Sequence, residues 1–366
     1  MTPRPSPTVS ARSHTTTIRS LAAVFGAVLA LACAACGSSV GQTSTHDPSV
    51  VPTASTASTT STTTTTTATP STTTSTSTTS ATTTVSLPGT GKPVITIGDK
   101  NFTEQFVLGQ LYLQALQVVG FTVNVNANIG PTEVTLQALA SGSLAMYPEY
   151  LDTWNTTVVG DPRRFRTQFA AYETAQRYAL AHGLELLDPT PFSDTSAIGV
   201  TVGYAAANHL SSIRDLRRVA TSLTLGGPPQ FQQSPTGLPA IEQSYGVTPA
   251  AFKPLPVGDQ YPALDDGSVQ AADLNTTDGE LASGDYTLLR DPRNVFGWGN
   301  VVPVVSAAAL TAEGPAFAST INRVDALLTT SVMRQLNADV DVSHEDPAAV
   351  AKQFLETHGL VPVTQS

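Results

Sequence analysis

Cysteine is nearly absent. The 366-residue chain has two, Cys33 and Cys36, both near its start. Nothing beyond Cys36 can therefore form a disulfide, a cysteine-ligated zinc site or a thiol nucleophile. Histidine is scarce too, and His182, His209, His344 and His358 are scattered without metal-ligand spacing. There is no glycine-rich phosphate loop, serine-centred nucleophile elbow or zinc motif. These absences argue against an enzyme and call for no cofactor or metal. Basic residues are also few: 18 Lys and Arg stand against 28 Asp and Glu, for a net charge of −10. Arg4, Arg12 and Arg19 precede a candidate cleavage site, and without them 15 basic residues oppose 28 acidic ones, or −13. Such a balance suits neither nucleic acid nor an anionic membrane surface. A long hydrophobic run is missing as well. The apolar stretch from Leu21 to Ala35 has about 15 residues, short of the roughly 20 that a spanning helix needs.

That stretch follows Arg12 and Arg19, as the h-region of an export signal follows its charged n-region. It ends in Cys33-Ala34-Ala35-Cys36-Gly37-Ser38-Ser39. Small residues before a cysteine, followed by Gly-Ser-Ser, resemble a bacterial lipoprotein box. The resemblance implies a signal peptide over 1–35 and lipidation of Cys36. The chain would then be held by its lipid anchor alone, on the extracytoplasmic face of a bacterial membrane. From Thr43 to Thr84 the sequence is low-complexity Thr and Ser with scattered Ala and Pro. Such a segment cannot bury a core and reads as a disordered tether. Over 37–92 its r.m.s. span would be roughly 40 Å.

The folded region opens at Pro93. Pro93 to Ile97 is a short β-branched run, a buried strand. Asn101 is placed to cap a helix, with Glu104 three residues on as in a capping box. Phe102, Phe106, Leu113 and Leu116 give that helix an apolar face, and Gly120 ends it. A strand over 121–127, a helix after Gly130-Pro131-Thr132 and a strand over 144–146 continue a β-α-β-α-β order. That order is the opening of a mostly parallel α/β lobe. Lys100 and Asn101 then fall at the carboxyl end of a strand, where open α/β sheets bind ligands. Tyr147-Pro148-Glu149-Tyr150 reads as an aromatic lip where a strand runs into a loop. Pro189 to Ser196 reads as a rigid connector between lobes. The helix, Gly turn and strand over 261–273 repeat the pattern of 132–146.

The segment Lys100-Asn101-Phe102-Thr103-Glu104-Gln105 resembles the first motif of the glycine betaine/choline-type substrate-binding proteins of ABC importers, with Asp99 where that family usually has Ser. Gly130-Pro131-Thr132-Glu133 with Gln137-Ala138-Leu139-Ala140-Ser141-Gly142 is similar to a second motif. Tyr147-Pro148-Glu149-Tyr150-Leu151-Asp152-Thr153 is similar to its Tyr-x-Glu-Tyr-Thr-Gly-Thr. Gly237-Leu238-Pro239, Tyr245-Gly246, Tyr261-Pro262-Ala263-Leu264 and Thr276-Thr277-Asp278-Gly279 fall where later motifs fall. The match covers about 95 to 360.

The resemblance implies an α/β, bilobal periplasmic-binding-protein fold of type II. Mixed, mostly parallel sheets would be joined by two crossovers, with lobe 1 about 93–194 and 290–366 and lobe 2 about 195–289. It implies a monomer that closes on a quaternary-ammonium solute and docks on ABC permease subunits, without chemistry. A quaternary ammonium has no N–H to donate, so aromatic faces recognise it through cation–π attraction. The family's cage positions fall on Tyr150, Tyr261, Tyr286 and Ser196, the last in place of a tyrosine. Trp298 or Tyr147 could supply the missing wall. Asp194 matches a position lining the box. Lys100 and Thr153 match groups that hold a betaine carboxylate, while the family's carboxylate-binding Arg falls on Ser234. Glycine betaine, choline, another betaine or a different polar solute such as an amino acid stays open. So does a stalked cell-surface interaction protein.

Overall fold

The structure is a computed structural model and describes residues 86–362. The expected signal peptide, Cys36 and nearly all of the Thr/Ser tether lie outside the described residues. The described chain starts on strand β1 (Val94–Gly98), helix α1 (Thr103–Val118), β2 (Thr122–Asn126), α2 (Thr132–Ala140) and β3 (Met146–Tyr150). A single turn, α3 (Leu151–Thr153), runs into a π-helical turn over Trp154–Val158, and α4 (Gln168–Ala181) and β4 (Leu184–Leu186) follow. The middle of the chain supplies β5 (Ser196–Thr201), α5 (Val202–Asn208), β6 (Thr224–Gly227), α6 (Leu238–Tyr245), β7 (Ala251–Pro254), α7 (Gln260–Asp265), β8 (Ala271–Asn275) and β9 (Tyr286–Leu288). The last third is β10 (Val301–Ser306) and helices α8 (Ala307–Glu313), α9 (Pro315–Asp325), α10 (Thr330–Asp341) and α11 (Pro347–Thr357).

These strands make two five-stranded sheets of matching design, ordered β2-β1-β3-β10-β4 and β7-β6-β8-β5-β9. In each, three strands run parallel. The fourth, β10 or β5, is the strand that arrives from the other sheet, and it pairs antiparallel on both sides. Apolar side chains on α1, α9, α10 and α11 cover one face of the first sheet, around Ile95, Ile97, Leu111, Phe317 and Phe354. Its other face packs Leu144, Tyr147 and Trp154 on Ala171 and Ala175 of α4. The second sheet buries Ile198 and Leu225 against Ile241 and Tyr245 on one side, and Val269 and Leu274 with Leu264 on the other.

The two segments that pass between the sheets bind each other. Asp194 N–H donates to the Gly299 carbonyl at 2.9 Å, and Gly299 N–H donates to Ser193 Oγ at 3.0 Å. A Cβ at Gly299 would meet the Asp194 carbonyl oxygen at 1.7 Å, so only glycine permits this approach.

Three local expectations change. Asn101 does not cap α1: the helix starts at Thr103, and Phe102 occupies the cap position without a side-chain cap bond. Glu104 does not fold back as a capping box, because it has better buried partners. It accepts from Tyr150 Oη and from Asn337 Nδ2. Tyr147-Pro148-Glu149-Tyr150 is not a lip at a strand end but the strand β3 itself, buried along its whole length between β1 and β10. Strand β7 gave no signal in the sequence, since Ala251-Phe252-Lys253-Pro254 holds one large apolar residue and ends in proline. It lies at a sheet edge, where both are tolerated.

Candidate functional site

The parallel strands β1, β6 and β8 end in loops that border one cleft of about 290 Å³. After β1 the chain supplies Phe102, Thr103 and Glu104; after β6, Pro228; after β8, Thr277, Asp278 and Gly279. Tyr261 of α7, Asn337 of α10 and Asp194 of the first crossover complete the wall, with Asp273 from β8 at its base. Carboxyl ends of parallel strands are where α/β sheets place ligands, because loops there diverge.

Tyr150 stands at the end of β3. Its hydroxyl donates to Glu104 Oε1 at 2.7 Å, its ring lies 5.9 Å from that of Phe102, and Lys100 Nζ sits 5.5 Å from its centroid. On the other sheet, Tyr261 donates to Asp278 Oδ2 at 2.8 Å and meets Tyr286 edge-on, with ring centroids 4.9 Å apart. Tyr286 is itself held by Asp265, at 2.7 Å, and stands behind Tyr261 rather than on the cleft wall. A phenol that donates to a carboxylate keeps its ring face free and more electron-rich, which suits a cation.

The wall is acidic. Glu104, Asp194, Asp273, Asp278, Glu280 and Asp341 line it, and no Lys, Arg or His among the described residues does. Burial pushes the Asp273 carboxyl up to about 7 and that of Asp278 up to about 6. Burial also raises Glu104, against hydrogen bonds from Thr277, Tyr150 and Asn337. Asp194 is pushed well up by burial and then by the neighbouring Glu104 and Asp278 carboxylates, with the Thr277 hydroxyl opposing. Lys100 adds no free positive charge: its ammonium is paired with the buried Glu149 carboxylate and donates to Thr132 Oγ1 at 3.0 Å.

The remaining residues singled out from the sequence fall elsewhere. Ser196 pairs with Asn275 at the start of β5, and its hydroxyl stabilises the ionised Asp273. Tyr147 is fully buried with Leu144 and Trp154 in the core behind β3. Thr153 and Trp298 line a second cavity of about 140 Å³ with Asp152, Arg163 and Phe296. Ser234 is near that cavity, 3.0 Å from the hydroxyl of Thr236 on its wall. The two cavities are neighbours, since Asp152 on the second adds to the repulsion felt by Asp194 on the first. Phe102, Glu104, Asp273, Asp278 and Asn337 were not legible as cleft residues. Phe102 and Glu104 have helical spacing and read as parts of α1, Asp278 falls in the Thr276-Thr277-Asp278-Gly279 motif without a role attached to it, and Asp273 and Asn337 carry no motif of their own. Among the described residues no cluster of His, Cys, Asp and Glu could hold a metal ion, and no helix is long and apolar enough to cross a membrane.

Residues 93–357 match the family described as the substrate-binding domain of the ABC-type glycine betaine transport system. The chain belongs to that family. Its members are extracytoplasmic solute-binding proteins of ABC importers, not enzymes. Among similar proteins is a glycine-betaine-binding protein of Pseudomonas aeruginosa, 30% identical over 279 residues that cover 73% of this chain and 88% of the relative. The glycine betaine-binding protein YehZ of Escherichia coli is 29% identical, over 75% of this chain and 94% of its own length. A carnitine transport binding protein of Listeria monocytogenes is 25% identical over 75% and 91%. The fold is that of type II periplasmic binding proteins. A solved structure described as a glycine betaine/carnitine/choline ABC transporter superposes with a TM-score of 0.69 at 23% identity, covering 73% of this chain and 99% of that one. The apo structure of Escherichia coli YehZ gives 0.64 at 29%, over 73% and 99%.

Proposed function

We propose that this chain is the lipid-anchored, monomeric solute-binding subunit of an ABC importer for quaternary-ammonium osmoprotectants. Residues 1–35 act as the signal peptide, Cys36 takes the lipid, and 36–92 tether the domain that follows. Lobe 1 spans about 93–194 and 290–366, lobe 2 about 195–289. Glycine betaine, choline or a related solute sits in the interlobe cleft and is caged by Tyr150 and Tyr261, with Tyr286 packed behind Tyr261.

The observation that carries this reading is the pair of aromatic corners on opposite sheets. Phe102 and Tyr150 meet on one, Tyr261 and Tyr286 on the other, and each tyrosine hydroxyl is held by a carboxylate. The comparisons support it, because relatives spanning most of the same length are named for glycine betaine and carnitine. Closure of the lobes would bring the two corners around one trimethylammonium group. Phe102 takes the place of the wall that Ser196 does not provide.

The test is isothermal titration of the purified protein with choline, glycine betaine and carnitine. A saturable response to at least one of them is expected, and Tyr261→Ala should weaken it by about 3- to 30-fold, the worth of one ring. Indifference of a responding protein to Tyr261→Ala would remove the cage. The anchor is tested separately: Cys36→Ala should abolish labelling by a radioactive fatty acid and release the protein into the medium.

A further inference from the structure

Three buried side-chain oxygens on the cleft wall have no hydrogen-bond partner among the described residues: Asp194 Oδ1, Asp273 Oδ1 and Asn337 Oδ1. Asp273 and Asn337 are 9% and 5% exposed, so water reaches them poorly while the cleft is occupied. With the two carboxyls ionised, the state a bound cation favours, all three are acceptors. Asn337 has used both N–H groups inside the protein, on Glu104 Oε2 at 3.1 Å and on the Thr277 carbonyl at 2.8 Å, which leaves its oxygen to the cleft. Buried acceptors left unpaired destabilise the state that buries them. A pure trimethylammonium group has no proton to give them. A carboxylate would meet more oxygens there, with Lys100 already engaged by Glu149 and no Lys, Arg or His among the described residues on the wall.

Resting on the reading that a small solute occupies this cleft, we propose that the solute is a net organic cation that bears at least one O–H or N–H donor and no carboxylate. Its donor serves Asp273 and Asn337, and its charge is balanced by Asp273, Asp194 and Glu104. The rings of Tyr261 and Tyr150 cover its apolar part. Selection against zwitterions follows from charge alone: the attractive term for the ammonium stays, and the carboxylate is repelled by an acidic wall.

The experiment titrates the protein at pH 7.5 with four probes: choline, choline O-methyl ether, glycine betaine and ethanolamine. Choline should bind at least about tenfold more tightly than its ether, the worth of one hydrogen bond to a charged group. Glycine betaine should bind more weakly still. Asp273→Asn keeps the shape, and its melting temperature checks that it folds. It should weaken choline by about tenfold and betaine by less, because betaine has no donor for Asp273. Ethanolamine binding more tightly than choline supports the donor-bearing cation and overturns the quaternary-ammonium cage instead. Betaine equal to or tighter than choline, or choline and its ether indistinguishable, overturns this proposal and leaves the cage standing. A protein that folds and answers none of the four overturns both.

Discussion

The hydroxyl of Tyr150 is bound to Glu104, and that bond decides how the ring is presented. Removing the oxygen alone, in Tyr150→Phe, leaves the ring in place and Glu104 with Asn337 and Thr277 as its remaining side-chain donors. Affinity for an ammonium solute should fall only a few-fold. Tyr150→Leu removes the ring and should cost about 0.5–2 kcal/mol of binding, or about 3- to 30-fold by titration. Equal losses in the two variants would show that the hydroxyl, not the ring face, matters. Lys100 makes a different residue-scale case. Its partner Glu149 is fully buried, so Lys100→Met strands a carboxylate and should destabilise the fold by about 3–5 kcal/mol in urea. Lys100→Met with Glu149→Gln should recover much of that loss, because the stranded charge is gone. A double variant as unstable as the single one would mean that the lysine matters for packing rather than charge.

At the scale of elements, the crossovers and the loop after β8 explain why two similar sheets behave as one device. Gly299 lets the two crossover segments touch, and Gly279 does the same between the β8 loop and α10: a Cβ there would meet Ala338 N at 2.7 Å. Asn337 and Arg334 of α10 hold the same loop through the Thr277 and Thr276 carbonyls, at 2.8 and 2.7 Å. Gly299→Ala and Gly279→Ala should each cost about 1–3 kcal/mol of stability from overpacking. Gly279→Ala should also weaken solute binding, since Asn337 and Glu104 would shift with α10. Unaltered melting curves and unaltered titrations would contradict both statements.

Most of this architecture could be read from the chain. The β-branched run at Pro93 to Ile97, the glycines that end helices, and the repeat of helix, turn and strand at 132–146 and 261–273 are local signals, and the elements follow them. What could not be read is tertiary. Glu104 looked like a capping partner because capping is local, whereas its actual partners Tyr150 and Asn337 lie 46 and 233 residues away. Asp273 looked like any residue of a strand end. Only the pairing of β8 with β5 and β6 sets it at the base of a cleft shared with Asp194 and Asn337. Tyr147 and Tyr150 both read as candidate cage walls, but Tyr147 faces the core behind β3 and Tyr150 the opposite face, toward Glu104 and Phe102, as alternation in a strand requires.

For the molecule as a whole, the buried carboxyls couple stability, pH and occupancy. Burial raises Asp99 to about 6 and Asp152 to about 7, in addition to Asp273 at about 7 and Asp278 at about 6. The unfolded chain titrates these groups near 3.9. Between roughly pH 4 and 7 the folded protein therefore binds more protons than the unfolded one, and stability falls as pH rises through that window. The contribution is complete below the unfolded pKa and is lost as pH passes the folded values. Other charges facing these groups are Glu149 and Lys100 on Asp152, Arg334 and Glu280 on Asp278, and the Glu104 and Asp194 carboxyls. The empty protein should melt on the order of 5 °C higher at pH 5 than at pH 8. A bound cation works the other way. It favours the ionised carboxylates, so its binding releases protons, and the rise in melting temperature that it gives should grow from pH 5 to pH 8. Calorimetry in buffers of different ionisation enthalpy counts those protons directly. Proton uptake on binding, or a ligand-induced rise that shrinks toward pH 8, would mean that protonated carboxyls donate to an anionic group of the solute, and that the cleft is built for a zwitterion after all.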